Sequence, residues 1–426
     1  MLDIKELRQD PSEIEKRLCS KEPGINIKEI LNLDAQVREL KTQVEGLKAE
    51  RNSASKEIAE LKRAQKDASR SIEAMGKIGS EIKAFEEKLG SSEKDLLDKL
   101  SCLPNLPFKT TPIGKSSEEN ICVHTEGKKP NFSFEPKNHL QLSDQLGLFD
   151  FKRSAKITGS GWSLYTDLGA RLEWALLQYM VDFQIEAGFE MRLVPHLVKS
   201  ETMYGCGQLP KFADQLFRIQ DDDLYLIPTS EAALGGLYSD EILDISEMPK
   251  NLFSYTPCFR REAGAAGISE RGLIRTHQFN KVEMFSFTLP EESDKTFDRM
   301  VLVAEGILKS LDLHYRVMHL VTGDMPFSAA KTFDIEVWLP GQHRYYECSS
   351  ISHCSDFQAR RSKTRFRRSP TDSPEFMHTL NGSGLATSRL MVALLETHQK
   401  ENGSISIPKV LQPYLKGLNT IPAETL

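Results

Sequence analysis

FSYTPCFRREAGAAGISERGLIRTHQFNKVEMFSF, residues 253–287, joins two unlike textures. Its ends, FSYTPCFRR and HQFNKVEMFSF, are rich in β-branched and aromatic residues in near alternation, while the EAGAAGISERG between them is Gly/Ala-rich. The pattern predicts two antiparallel strands joined by a long flexible loop. Arg260 and Glu262 are two apart in sequence and so should face one side of the first strand. A guanidinium fork suits phosphate, and a carboxylate two residues on can accept from the exocyclic amine of a base. Arg275 adds a second phosphate contact from the returning strand. An Arg-x-Glu on a strand is equally the pattern of a surface ion-pair ladder, so its meaning depends on the rest of the chain.

Outward from this segment, the texture of the 426 residues changes near residue 104. Before it the chain is rich in Lys, Glu, Leu and Ala; after it Pro, Gly, Phe and Tyr become frequent. We therefore divide it into a helical part, 1–103, and a mixed α and β part, 104–426, which is more than one ordinary core. From Ile30 the apolar residues run Ile30, Leu33, Val37, Leu40, Val44, Leu47, Ala54, Ile58, Leu61 and Ala68, interrupted at Arg51 and Gln65. So narrow a stripe suits packing against one partner helix. Ile72, Met75, Ile78, Ile82, Phe85, Leu89, Leu96, Leu100 and Leu103 supply that partner, giving an antiparallel hairpin over about 28–103 with arms of roughly 50 Å. Its tip carries Lys62, Arg63, Lys66 and Arg70 against the single acid Asp67. Such a cluster can meet phosphates or merely keep a coiled coil soluble.

The net charge of −6 names no polyanion partner, since a partner feels local fields rather than the total. Seven cysteines without a C-x-x-C pair argue against a disulfide framework and a ribbon-type zinc site, and no zinc is expected. No apolar stretch approaches a membrane span, and the amphipathic MLDIKELRQD is unlike a signal peptide, so a cytoplasmic protein without membrane contact is expected. The run RRSKTRFRR, 360–368, has six basic residues in nine, suiting either the path of an RNA end or an exposed solvating loop.

FR-x-EAG…RGL-x-R-x-HQF-x-KVE resembles motif 2 of the class II aminoacyl-tRNA synthetases and, in detail, the seryl members of that class. TLNGSGLATSRLMVALLE, 379–396, is similar to motif 3, and VPHLVKSETMYGCGQLPKF, 194–212, to motif 1, with Pro195 at the position the class places in its dimer interface. LIPTSEAAL, 226–234, looks like the family's Thr-x-Glu serine loop, and DIEVWLPGQHRYYECSSISHCSDFQARR, 334–361, like its metal and ATP segment. MLDIKELRQDP and ERNSASKEI, 50–58, resemble the family's arm. Two departures are Ser388, where a glycine is usual before the motif 3 arginine, and Arg261, where a small residue is usual.

The resemblance implies an α+β protein: a coiled-coil arm before a catalytic domain of antiparallel sheet flanked by helices. It implies L-serine activation by ATP and transfer to tRNA(Ser), and to tRNA(Sec) where present, by a homodimer. Joining two anions calls for positive charge and in-line positioning rather than a side-chain nucleophile. The implied ATP contacts are Arg260 at the α-phosphate, Arg275 and Arg389 at the outer phosphates or ring face, Glu262 at the adenine amine and Phe279 stacked on adenine, with Arg261, Glu347, Cys348, Ser349 and Ser350 completing the ATP site. Glu347 and Ser350 offer hard oxygens for Mg²⁺. Thr229, Ser230, Glu231, Glu283 and Ser383 are the implied serine contacts, Glu231 facing the ammonium and Glu283 with Ser383 the hydroxyl. Lys62, Arg63, Lys66 and Arg70 would meet the tRNA. The rivals are a class II ligase of another specificity and a silent synthetase-like RNA-binding protein.

Overall fold

The computed structural model describes residues 1–263 and 272–422, and the chain divides into two compact units, Met1–Pro104 and Asn105–Leu426. In the first unit, helix α1 (Ile4–Gln9) and helix α2 (Pro11–Lys21) precede two long helices, α3 (Lys28–Arg63) and α4 (Ser69–Ser101). Asp10 starts α2 by accepting from the Glu13 N–H, ahead of Pro11 in the first turn. The seam of the hairpin buries Ile30, Val37, Leu40, Val44 and Ile58 of α3 with Ile82 and Leu100 of α4. Lys41–Glu93 at 2.8 Å, Lys48–Glu86 at 2.7 Å and Lys99–Glu29 at 2.9 Å cross between the helices in antiparallel register.

Two seam positions differ from the apolar pattern. Ile72 is 44% exposed, in the first turn of α4 next to the tip of the hairpin. Asp34 is buried, and its carboxylate is held by Arg8 at 2.6 Å and Arg38 at 3.1 Å, as a buried charge must be. At the tip, Gln65 adopts φ +54° while the Gln65 and Lys66 N–H groups return to the Lys62 and Leu61 carbonyls, closing α3 with a Schellman turn. Asp67 accepts from the Ser69 N–H and hydroxyl, so the acid of the tip is occupied by its own turn, and Lys62, Arg63, Lys66 and Arg70 are exposed.

The second unit is built on an eight-stranded sheet. Its strands are β1 (Ile121–Glu126), β2 (Glu190–Met191), β3 (Lys250–Phe259), β4 (Gln278–Thr288), β5 (Tyr315–His319), β6 (Lys331–Leu339), β7 (Arg344–His353) and β8 (His378–Ala386), in the order β1-β5-β6-β7-β8-β4-β3-β2. Every pairing is antiparallel except the short edge pair of β2 with β3. Helices α5 (Asp167–Glu186), α6 (Ser230–Gly235), α7 (Ser293–Ser310), α8 (Phe357–Ser362) and α9 (Thr387–Thr397) surround the sheet.

β4 shows how the sequence assigns the two faces. Val282 and Met284 point into the main core with Leu176 of α5, Ala304 of α7 and Leu390 of α9. Phe285 and Phe287 belong to a second cluster with Leu234 and Phe366. Alternation then places Lys281 and Glu283 on the side of that second cluster. The strand–loop–strand expectation agrees with β3 and β4; the part of the loop at 264–271 lies outside the described residues.

Candidate active site

Glu283 on β4 stands directly opposite Ser383 on β8, and the Ser383 hydroxyl donates to the Glu283 carboxylate at 3.2 Å. Two residues earlier on the same face, the Lys281 ammonium lies 2.6 Å from that carboxylate and donates to the Thr229 hydroxyl at 2.8 Å. Thr229 also caps α6, its hydroxyl accepting from the Glu231 N–H at 3.2 Å, which fixes Glu231 in the first turn. The Glu231 carboxylate accepts from Gln358 at 2.6 Å and Asn381 at 3.1 Å. Burial, and next the Glu283 carboxylate, push Glu231 up to about 7 against the opposing pull of Lys281 and Gln358. All of these groups except Gln358 line a cavity of about 420 Å³, within the usual range for a small-molecule site.

A second, narrower space of about 50 Å³ adjoins it, and the two share Arg260, Glu262, Lys281, Glu347 and Ser383 as walls. The Arg260 guanidinium lies 5.1 Å over the Phe279 ring and donates to the Pro228 carbonyl at 3.4 Å. Glu262 accepts from Arg275 at 2.7 Å. Arg389, in the first turn of α9, donates to the Glu347 carbonyl at 2.9 Å and sits 3.3 Å from its carboxylate. Three arginines from three separate segments thus converge with two carboxylates on one small space.

Strand alternation does not account for Arg260 and Glu262, although both residues reach this space. β3 ends at Phe259, Arg275 precedes the start of β4, and Glu262 has φ +48°, so a turn rather than a strand face aims the carboxylate. Arg261, expected beside ATP, lines neither space, and the Ser230 hydroxyl is buried without a hydrogen-bond partner. Ser349 also lies outside both linings; its hydroxyl donates to the Ser383 carbonyl at 2.5 Å and ties β7 to β8. Cys348 does line the narrow space, with its thiol donating to the Ile335 carbonyl at 3.4 Å.

Glu347 and Ser350 flank a bulge in the β6–β7 ladder, where the register shifts between Glu347 and Ser349. Asp334 pairs with Ser350 across that ladder and hydrogen-bonds to it. Burial, and next the Glu347 carboxylate, push Asp334 well above the usual carboxylate range, and its Oδ1 is buried without a partner. Glu347, Ser350 and Asp334 form a set of hard oxygens, and an unsatisfied buried carboxylate oxygen beside them suits a divalent cation. The described residues hold no cluster of three acidic, His or Cys groups that could bind a metal, so a cation there would need further ligands from phosphate and water.

Lys281, Gln358, Asn381 and Asp334 join the site without a role assigned to them from the sequence, although each lies inside one of the motif segments quoted above. The basic run 360–368 is neither a simple solvating loop nor an open groove. Arg361 is buried and donates to the Tyr204 and Leu209 carbonyls, both at 2.6 Å, while Arg360 pairs with Asp356 at 2.7 Å and Arg368 with Glu291 at 2.7 Å.

Comparison with known proteins agrees with both units. Residues 1–107 match the seryl-tRNA synthetase N-terminal domain, and residues 215–398 the tRNA synthetase class II core domain (G, H, P, S and T). The serine–tRNA ligase of Chlamydia abortus is 48% identical over 418 residues, covering 98% of each chain. The fold superposes on a seryl-tRNA synthetase from Pyrococcus horikoshii complexed with ATP, with a TM-score of 0.93, 35% identity and 99% of each chain covered. A cytoplasmic serine–tRNA ligase from Naegleria fowleri in complex with AMP gives a TM-score of 0.89 at 26% identity, covering 100% of this chain and 99% of that one. With arm and core both matched and nearly the whole length shared, this chain belongs to the seryl-tRNA synthetase family.

Proposed function

We propose that the chain activates L-serine with ATP and esterifies it to the 3′ end of tRNA(Ser), with tRNA(Sec) a second acceptor where a cell makes it. In the first step a serine carboxylate oxygen attacks the α-phosphorus of ATP, the bond to the β-phosphate oxygen breaks, and pyrophosphate leaves. In the second, a terminal ribose hydroxyl attacks the acyl carbonyl and AMP departs.

The observation that carries this reading is the shared wall between the acidic cavity and the arginine-lined space. Glu231 and Glu283 give the larger cavity two carboxylates, one for an ammonium and one, with Ser383, for a hydroxyl. Arg260, on the shared wall, meets the α-phosphate where the two anions join; Arg275 and Arg389 hold the outer phosphates, and Phe279 and Glu262 take the adenine. The chemistry needs little proton transfer by side chains, so positioning and fixed positive charge supply most of the rate. Mg²⁺ held by Glu347 and Ser350, with Asp334 behind them, would neutralise phosphate charge.

The arm, 1–103, is the tRNA-binding domain and 104–426 the catalytic domain. Lys62, Arg63, Lys66 and Arg70 at the tip meet phosphates, supported by their exposure and by the engagement of Asp67 with Ser69. The working form is a homodimer in the cytoplasm. Trp174 and Ile185 of α5 are 56% and 53% exposed and Leu193 beyond β2 is 79% exposed, apolar surface that a second copy would cover. No described helix is long and apolar enough to cross a membrane. Serine-dependent ATP–pyrophosphate exchange tests the first step, and charging of tRNA(Ser) the second.

A further inference from the structure

A separate cavity of about 440 Å³ lies on the outer side of the segment that carries Arg260, lined by Thr158, Ser160, Trp162, Phe217, Arg261 and His277. Three of these six residues are aromatic rings packed on one another. Trp162 is 5.5 Å from His277 and 6.2 Å from Phe217, centroid to centroid. All three rings are half-buried, so each keeps part of its surface open to the cavity.

The cluster is held firmly. The His277 N–H donates to the Gly161 carbonyl at 2.8 Å, and the imidazole approaches so closely that a Cβ on Gly161, at φ +83°, would lie 2.7 Å from it. His277 Nδ1 donates to the Arg260 carbonyl at 3.0 Å, because a carbonyl can only accept. The Arg260 N–H returns to the His277 carbonyl at 2.8 Å. The aromatic wall and the phosphate-binding Arg260 are thus joined by two hydrogen bonds. Arg261, the next residue, faces the cavity and has no ion-pair partner among the described residues.

Half-exposed rings beside an unpaired guanidinium and two hydroxyls are the chemistry of a site for single-stranded nucleic acid, with rings for base faces and a cation for the phosphate between them. We propose that this cavity is a stacking subsite for the unpaired 3′-terminal nucleotides of the acceptor RNA, holding the strand just before the ribose that receives serine. This rests on the proposed charging reaction, which requires a single strand to pass from the protein surface to the Arg260 region.

The test compares Trp162→Leu and Phe217→Leu with the conservative Trp162→Phe. Serine-dependent exchange should stay within about twofold of the unaltered chain in all three, while the KM for tRNA in charging rises about tenfold in the leucine variants and returns to within about threefold in Trp162→Phe. Filter binding, read without turnover, should show that removing the unpaired 3′ nucleotides weakens tRNA binding to the unaltered chain and leaves binding to Trp162→Leu unchanged. Millimolar cytidine monophosphate should not compete. An unchanged KM, equal sensitivity to trimming, or equal competition by the free nucleotide overturns the subsite. Loss of exchange together with charging in both leucine variants also overturns it, because the rings would then serve the fold or the ATP space. An unaltered chain without serine-dependent exchange contradicts the proposed function instead, and the trimming comparison separates the two failures.

Discussion

Glu283 and Lys281 form a buried ion pair at 2.6 Å, two residues apart on one face of β4, and the same Lys281 ties Glu283 to Thr229. The group assigned to the substrate hydroxyl is therefore also a structural partner. Glu283→Ala would strand a buried ammonium and cost about 3–5 kcal/mol of stability, read as a lower midpoint in denaturant unfolding. Glu283→Gln keeps the shape and removes the charge. Its serine-dependent exchange should fall at least about 100-fold, with a much smaller loss of stability than in the alanine variant. Near-normal exchange in the glutamine variant would refute the assignment.

Glu231 carries a pH prediction. It is held up at about 7 by burial and by Glu283, so the folded chain binds its proton more tightly than the unfolded chain does. Stability from this group is greatest at low pH and declines as pH rises from the ordinary carboxylate range toward 7. Serine binding runs the other way, since an ammonium needs the ionised carboxylate. The kcat/KM for serine in exchange should fall about tenfold per unit as pH drops below 7, and Glu231→Gln should be weaker throughout and lack that limb of the profile. A variant with the same limb would assign the titration to another group.

Much of this is legible in the sequence because it is periodic or because a motif holds several rare residues at fixed spacing. The arm follows from apolar residues every three or four positions, and the hairpin β3–β4 from alternation on either side of a Gly/Ala-rich stretch. Legibility ends where tertiary pairing takes over. Asn381 and Gln358 reach Glu231 from β8 and α8, which no local pattern relates to α6. Asp334 matters only because β6 pairs with β7 beside a bulge. Arg261 sits between two residues that line the arginine-rich space, yet it lines the aromatic cavity instead, a separation that its motif context does not reveal.

At the tip of the arm, changing Lys62, Arg63, Lys66 and Arg70 together to glutamate should raise the KM for tRNA at least tenfold at physiological salt and leave serine and ATP constants unaltered. The slope of log affinity against log salt should become shallower by about 0.7–0.9 for each phosphate that is no longer neutralised. An unchanged slope would mean that these cations serve solubility alone.

Removing Gln36 to Leu96 and closing the gap with a short linker takes away most of the hairpin but keeps the Arg8–Asp34 pair at its base. Exchange should survive within about threefold and charging should fall by more than about 100-fold, because only the second step uses the RNA. Equal charging by the shortened chain would remove the arm from the reaction.

On the proposed reading the paired carboxylates Glu231 and Glu283, walled against Arg260, define the substrate, so the most direct test is ATP–pyrophosphate exchange by the purified chain with each of the twenty amino acids in turn. Exchange with serine at least about 100-fold above that with alanine or threonine is the expected result. Exchange that prefers another amino acid, or none with serine at any concentration, would contradict it.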